Sequence, residues 1–313
     1  MKPIIPPVEV AKMEAELTKD KFLRYTNFGH KKIFVVTHHD SPNVMLEIGR
    51  LREISFRDAG GGTGEEVDID EMDTALNPYK QLLVWDDEEK EIIGGYRFID
   101  CNLHSPIDDK GIVHLSTSEL YQFSNKFKQE YIPYMIELGR SFVQPKFQAS
   151  KSSRKNLFAL DNLWDGIGAI VINNPNIQYL FGKVTMYTTY NIKARDMVLS
   201  FLKKFFPDHD NLVTPFHSIE FETRFEELEK LYVGKSYDEN FKIMNSKVRE
   251  YGEIIPPMIN SYMSLSSTMK SFGTAINDHF GGVEETGILV KIADIYDSKK
   301  TRHIGTFERD KSI

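Results

Sequence analysis

The stretch Glu137-Leu138-Gly139-Arg140-Ser141-Phe142-Val143-Gln144-Pro145, residues 137–145, decides how the rest of the chain is read. It ends a run from Tyr134 to Val143 that reads as a strand and stops at Pro145. A carboxylate and a guanidinium therefore fall near the end of a buried-looking strand, the place where sites gather. If faces alternate, Glu137 shares a side with Gly139, Ser141 and Val143, while Arg140 points oppositely with Leu138 and Phe142. A bulge at Gly139 would bring the two together. A site and a structural ion pair both fit these residues.

Immediately downstream, Lys146, Lys151, Arg154 and Lys155 are interleaved with Ser150, Ser152 and Ser153, ahead of a long amphipathic helix. Leu157, Leu160, Trp164, Ile167 and Val171 mark its apolar side. Free N–H groups and the positive end of the macrodipole at such a helix start favour an anion such as phosphate. A solvated loop with an ordinary Ser cap is the competing reading. Asn173-Asn174-Pro175-Asn176 stops the helix. Tyr179–Met186 then reads as a strand and Ile192 to Phe206 as a helix, closed by Pro207.

Upstream, Pro42 sits where a first-turn proline belongs, and Met45, Ile48, Leu51 and Ile54 recur at helical steps. Gly60-Gly61-Gly62-Thr63-Gly64 and the acidic stretch Glu65 to Asp73 follow, read as a flexible segment that lacks the Lys-Ser/Thr of a nucleotide cradle. Gln81–Trp85 and Glu91–Ile99 form a hairpin around a charged turn, and a helix is expected at about 118–127. Residues 1–40 read as an N-terminal arm with a short helix from Val8 to Leu23. Beyond Asp208, helices are expected at 221–231 and 257–269 and a last strand at 287–292, completing the same core. The order predicts an α/β layered fold with a mixed sheet, divided as 1–40, 41–207 and 208–313.

Composition narrows the function. The 313 residues carry a net charge of -7 and are 41% apolar, with 21 Phe and 14 Tyr, enough to bury a core. The acidic balance argues against nucleic-acid binding. No apolar run approaches the roughly 20 residues of a spanning helix, and the start MKPIIPPVEV does not read as a signal peptide, so a cytoplasmic protein is expected. Cys101 is the single cysteine, and the nine histidines form no HExxH or other close ligand set, so no metal is expected. No G-x-S-x-G presents a serine nucleophile.

A third polar cluster is Arg52 and Phe56, one helical turn apart, with Asp68, Asp70 and Asp73, and with Arg97 after Gly94-Gly95. The two glycines read either as room for a close approach or as a simple bulge.

Taken in order, Arg52…Phe56, Asp68/Asp70/Asp73, Leu82-Leu83-Val84-Trp85-Asp86, Gly94-Gly95-Tyr96-Arg97 and Glu137-x-x-Arg140 resemble the acyl-carrier-protein-dependent branch of the GNAT acyltransferases. That branch holds acyl-homoserine-lactone synthases and amino-acid N-acyltransferases. The phrases ELGRSFVQPKF (137–147), LWDGIGA (163–169), YLFGKVTM (179–186) and IPPMINSYMSL (255–265) are more similar to the N-acyltransferases, makers of N-acyl ornithine or glycine lipids whose relatives are often labelled hemolysin-like. The likeness spans roughly 44–295 and implies a GNAT-like α/β (α+β) fold, with a mostly antiparallel central sheet flanked by helices. One departure is that Gln148-Ala149-Ser150-Lys151-Ser152-Ser153 has no glycine where acetyl-CoA users wrap a pyrophosphate. This favours a 4′-phosphopantetheine thioester on acyl-carrier protein over acyl-CoA, with the loop cations meeting that carrier's acidic surface.

The resemblance implies transfer of a long-chain, even 3-hydroxy, fatty acyl group to the amino group of glycine or ornithine, with no permanently bound cofactor. Glu137 is the expected base, with Arg140 fixing the acceptor's carboxylate or holding Glu137. Arg52 and Arg97, with Phe56, Asp70 and Asp73, brace the acidic segment or bind the acceptor. Backbone N–H groups of Phe142 or Val143 are expected at the oxyanion, and Tyr190 at the leaving thiolate. Lys146, Gln148, Lys151, Ser152, Ser153 and Arg154 are expected to hold the donor. Alternatives are an acyl-homoserine-lactone-type synthase, an acetyl-CoA N-acetyltransferase and a membrane-active hemolysin. Against the last stands the lack of a broad basic amphipathic face, although transient contact with the inner membrane surface during product release is compatible with the sequence.

Overall fold

The computed structural model describes residues 1–148 and 158–307. In chain order its elements are α1 (Val10–Glu16), β1 (Phe22–Tyr25), β2 (Lys32–Val36), α2 (Pro42–Ala59), α3 (Glu71–Thr74), β3 (Lys80–Asp86), β4 (Glu91–Asp100), β5 (Tyr121–Phe123), α4 (Asn125–Glu130) and β6 (Met135–Val143). There follow α5 (Ala159–Asn173), β7 (Tyr179–Met186), α6 (Ile192–Phe205), β8 (Val213–Pro215), α7 (Phe225–Leu231), α8 (Tyr237–Glu250), α9 (Pro257–Met263), β9 (Lys270–Asn277), β10 (Val283–Lys291) and α10 (Asp297–Lys299). Two discontinuous units result: 1–104 with 136–178 and 296–313, and 105–135 with 179–295. They cut across the sequential division 1–40, 41–207 and 208–313, because strand pairing joins segments far apart in the chain.

In the first unit the strands run β1-β2-β3-β4-β6, each pair antiparallel. Both faces of β3 are covered. Gln81 meets Arg52 of α2, and its neighbour Leu82, pointing the other way, lies under α5. There a Cβ on Gly166 would fall 2.5 Å from Leu82, so only glycine lets the helix approach this closely. Pro42 opens α2 in its first turn and Gly60 ends it in the left-handed region, φ 96°.

The first 40 residues are not merely an arm. The expected helix over 8–23 is confined to Val10–Glu16, and β1 and β2 extend the sheet by pairing Val35 with Leu82 and Phe34 with Leu83. The glycine-rich segment is likewise held rather than loose. The buried Glu53 carboxylate accepts from the N–H groups of Thr63 and Gly64 at 3.1 and 2.7 Å.

The second unit contains three antiparallel strands in the order β7-β10-β9, and a two-stranded pair, β5-β8. Its aromatic core brings Phe127 of α4 within 5.3 Å of Phe181 and 6.1 Å of Phe272, ring centre to ring centre. The helix expected at 118–127 is instead β5 followed by α4. Tyr121 and Phe123 alternate inward, and the Ser124 side chain restarts the backbone by capping the Phe127 N–H. Strand β9 and helix α8 had no clear sequence signal, the first being interrupted by Gly273 at φ 86° and the second mostly polar.

Candidate active site

Strand register assembles the site in the first unit. Glu137 pairs with Ile99 and Gly139 with Arg97 across β4 and β6, while Arg97 pairs with Gln81 across β3 and β4. Paired residues share a face, so Gln81, Arg97 and Gly139 form one row and Tyr79, Ile99 and Glu137 the next. Gly139 brings no side chain to its row.

Between Gly95 and Arg97 the pairing slips, and Arg140 takes φ 47°. This bulge lies at Arg140–Ser141, one residue beyond the position expected from the sequence. Its consequence also differs from expectation. Arg140 does not pair with Glu137 but sits 2.8 Å from Asp68 and 3.6 Å from Asp70. A left-handed residue inside a strand turns its side chain out of the alternation, and so Arg140 shares Asp70 with Arg97.

The polar cluster closes into a ring of alternating charge. Arg52, wholly buried, lies 3.0 Å from Asp73 and donates to Gln81 and, at 3.4 Å, to the Asp68 carbonyl. Arg97 lies 2.6 Å from Asp70 and 3.4 Å from Asp73, and Arg140 links Asp70 back to Asp68. Three arginines thus balance three aspartates, and the acidic segment read as flexible is pinned to α2, β4 and β6. Asp70 and Asp73 also cap each other across the first turn of α3. Burial pushes the Asp70 carboxyl up, but Arg97, Arg140 and Arg52 outweigh it and hold its pKa at about 2. Arg97, although buried, is raised by Asp73 and Asp70 and stays charged. Phe56 is buried one turn beyond Arg52.

Glu137 is fully buried beside this ring, accepting a hydrogen bond from the Tyr79 hydroxyl. The Arg97 guanidinium lies 5.2 Å over the Tyr79 ring. Cys101, just beyond β4, is buried, and burial and then the charge of Glu137 push its thiol well up, away from the thiolate form. Tyr79 and Gln81 were not singled out from the sequence, since a lone tyrosine before an apolar strand has no signature there.

Gly94-Gly95 serve a close approach. A Cβ on Gly94 would lie 2.4 Å from the Phe142 carbonyl, and one on Gly95 2.7 Å from that of Leu82. The Gln144 N–H donates to Ile93 at 3.0 Å, so the antiparallel alternation turns the Phe142 amide toward β4 and the Val143 amide away from it. Of the two oxyanion candidates, Val143 is the one outside that ladder.

The donor-binding residues divide. Lys146 pairs with Glu91, and the Gln148 amide donates to the Val143 carbonyl at 2.9 Å. Lys151, Ser152, Ser153 and Arg154 lie outside the described residues. Tyr190 belongs to the second unit, where its hydroxyl donates to the Ile254 carbonyl at 3.0 Å. Burial and the nearby Glu253 raise its pKa, making it a weaker acid than an ordinary tyrosine. Among the described residues no group of three or more metal-ligating side chains occurs, and no helix is long and apolar enough to cross a membrane.

Residues 51–156 match the acetyltransferase (GNAT) domain family. A glycine N(alpha)-acyltransferase of Phocaeicola vulgatus is 52% identical over 307 residues, covering 98% of this chain and 94% of that protein. One of Bacteroides thetaiotaomicron is also 52% identical over 307 residues, covering 98% and 91%. Among solved structures, the AHL synthase LasI aligns with 88% of this chain and 95% of its own, at 11% identity and a TM-score of 0.41. FeeM, an N-acyl amino acid synthase from uncultured soil microbes, aligns with 84% and 91%, at 10% identity and the same TM-score. A carboxylate set beside a ring of arginines on a GNAT-type sheet therefore accompanies identity along nearly the whole chain, and the protein is an acyltransferase belonging to the N-acyltransferase family that the P. vulgatus and B. thetaiotaomicron sequences represent.

Proposed function

We propose that this N-acyl amino acid synthase moves a long-chain, including 3-hydroxy, fatty acyl group from the phosphopantetheine thioester of acyl-carrier protein to the α-amino group of glycine. The observation that carries the acceptor is the 52% identity, over 98% of the chain, to two proteins named glycine N(alpha)-acyltransferase. The donor rests on the sequence alone, in which Gln148 to Ser153 holds no glycine and cations follow at Lys151, Arg154 and Lys155, a composition suited to one phosphate and an acidic carrier. Ornithine is the competing acceptor.

In the reaction the glycine nitrogen attacks the thioester carbonyl, the C–N bond forms and the C–S bond breaks. The nitrogen proton passes to Glu137 and from there, directly or through water, to the departing sulfur, which leaves as the carrier's thiol. The products are N-acylglycine and the free carrier, and charge is conserved. Arg97 is assigned the acceptor's carboxylate, because its buried Nε has no acceptor among the described residues and it stands one row from Glu137. Arg52 and Arg140 hold the acidic segment that keeps Arg97 in place. The Val143 amide is the candidate oxyanion donor. The product is an amphiphile, and we place the enzyme in the cytoplasm with peripheral contact to the inner membrane face at product release.

The test is acyl transfer with purified protein, offering glycine, ornithine and lysine to long-chain acyl-carrier protein and to acyl-CoA, with products read by mass spectrometry. N-acylglycine formed from the carrier donor is the expected result. Acylation of ornithine in preference to glycine overturns the acceptor, and equal use of acyl-CoA overturns the donor.

A further inference from the structure

We infer that Gly139 is a specificity-determining residue: the side chain it lacks leaves the seat on which the amino-acid acceptor lies, its carboxylate on Arg97 and its α-carbon against the backbone of β6. This rests on the reading of the protein as an amino-acid N-acyltransferase and deepens it, committing the seat to an α-amino acid that carries no substituent on the side facing β6.

A glycine inside a strand needs a reason, because it weakens the strand relative to alanine and brings nothing to pack. The usual reasons do not hold at 139. Its backbone is not left-handed, a conformation taken by Arg140 instead. It is also in register, paired directly with Arg97 across β4 and β6. At Gly94, Gly95, Gly166 and Gly168 a Cβ would run into neighbouring protein atoms, and all four are buried. Gly139 is partly exposed, although Glu137 and Arg97 beside it are only 0% and 3% exposed. What is left is the close approach of something that is not part of the fold, the other circumstance in which a strand holds a glycine.

The groups around the gap say what that is. Arg97 makes its hydrogen bonds to Asp70 and Asp73, at 2.6 and 3.4 Å, through Nη1 alone. Its Nε is buried with no partner among the described residues. The edge of a guanidinium formed by Nε and Nη2 matches a carboxylate, which takes it with two parallel bonds. Along β6, Glu137 is the next residue on the same face, about 7 Å from Gly139 at the strand rise. An α-amino acid carries its nitrogen and its carboxylate on either side of one carbon, so with the carboxylate on Arg97 the nitrogen is directed along β6 toward Glu137. The α-carbon then rests on Gly139, and a methyl group added to that residue would stand where the acceptor lies.

The experiment measures kcat and KM for glycine, and the KM for long-chain acyl-carrier protein, in wild type and G139A, with denaturant unfolding alongside. G139A is expected to raise the KM for glycine by about tenfold or more, the scale of forcing a methyl into occupied space. The donor KM should stay within about twofold of wild type and the unfolding transition should not fall, since alanine suits a strand interior better than glycine. An unchanged KM for glycine overturns the inference, and so does a loss of kcat with both KM values unchanged, which assigns Gly139 to the backbone of β6. If G139A does not fold, the wild type decides with the two enantiomers of alanine. One of them has to point its methyl at Gly139, so at least one is expected to show a kcat/KM about tenfold or more below that of glycine. Equal use of glycine, L-alanine and D-alanine overturns the seat. The earlier reading fails separately: if the wild type acylates ornithine in place of glycine, the named acceptor falls and the KM for ornithine in G139A tests the seat, whereas a wild type that acylates no amino acid removes both.

Discussion

Each unit buries ionic groups, but by different means. In the first, Arg52, Arg97 and Arg140 alternate with Asp73, Asp70 and Asp68 and join α2, the 68–73 segment, β4 and β6. In the second, Lys183 and Glu285 meet at 2.5 Å on one face of the β7-β10-β9 strands, with Asn277 donating to Glu285 at 2.8 Å and Thr185 at 3.3 Å. The nearby Tyr187 is pushed up to about 12 by burial and then by the charge of Glu285. A guanidinium presents a rigid planar fork that holds two carboxylates in a fixed geometry, whereas an ammonium is a compact point charge whose donors rotate and impose no such geometry. The arginine ring can therefore fix the relative placement of several chain segments, and the lysine pair reinforces a sheet already held by its own backbone. Fixing several chain segments relative to one another is what the first arrangement supplies.

That contrast can be broken most forcefully at Asp73. D73A strips a counter-ion from two buried arginines, neither of which can shed its proton, and is expected to lower stability by about 3–5 kcal/mol or more, read from denaturant unfolding. K183M is expected to cost less, at the lower end of that range, because the stranded Glu285 can take up a proton and become neutral. The double variant K183M/E285M should recover to within about 1 kcal/mol of wild type, as replacing a whole buried pair by apolar groups is nearly neutral. A double variant as unstable as K183M, or a D73A protein as stable as wild type, would erase the distinction between ring and pair.

E137Q tests the carboxylate that stands beside the ring rather than in it. The amide keeps the shape but cannot accept a proton, so turnover should fall roughly a hundredfold or more while the unfolding transition stays close to wild type. The smallest effect belongs to Asp70, at the partly exposed rim of the ring. Its folded pKa, about 2, lies below the unfolded value of 3.8, so its contribution to stability is complete above roughly pH 4 and is lost as pH falls through 2. The gap in stability between wild type and D70N should shrink over that window, and a gap that widens with acid would contradict the assignment.

Much of this was legible in the residues themselves. The hairpin β3-β4, the strand β6, the helix opened by Pro42 and the β7-α6 succession follow from hydrophobic period and stop signals, and they were found within a residue or two. The N-terminal strands and β9 were not, because short runs such as Lys32–Val36 gain their identity from a neighbour to pair with rather than from propensity. Arg52, Asp70, Asp73 and Arg97 could be named as one cluster because opposite charges at helix and strand positions near one another in the chain carry their own warning.

The sequence by itself determined which chemistry is present: a carboxylate and arginines on an α/β scaffold, and a cationic segment ahead of an apolar-periodic one. Tertiary structure decided which groups meet. One residue in the left-handed region swings Arg140 away from Glu137 to Asp68 and Asp70, and strand register sets Tyr79, 58 positions earlier in the chain, against Glu137 instead. The first depends on a single slip in the hydrogen-bond ladder and the second on its register, and a ladder is a property of two strands together that neither segment carries alone.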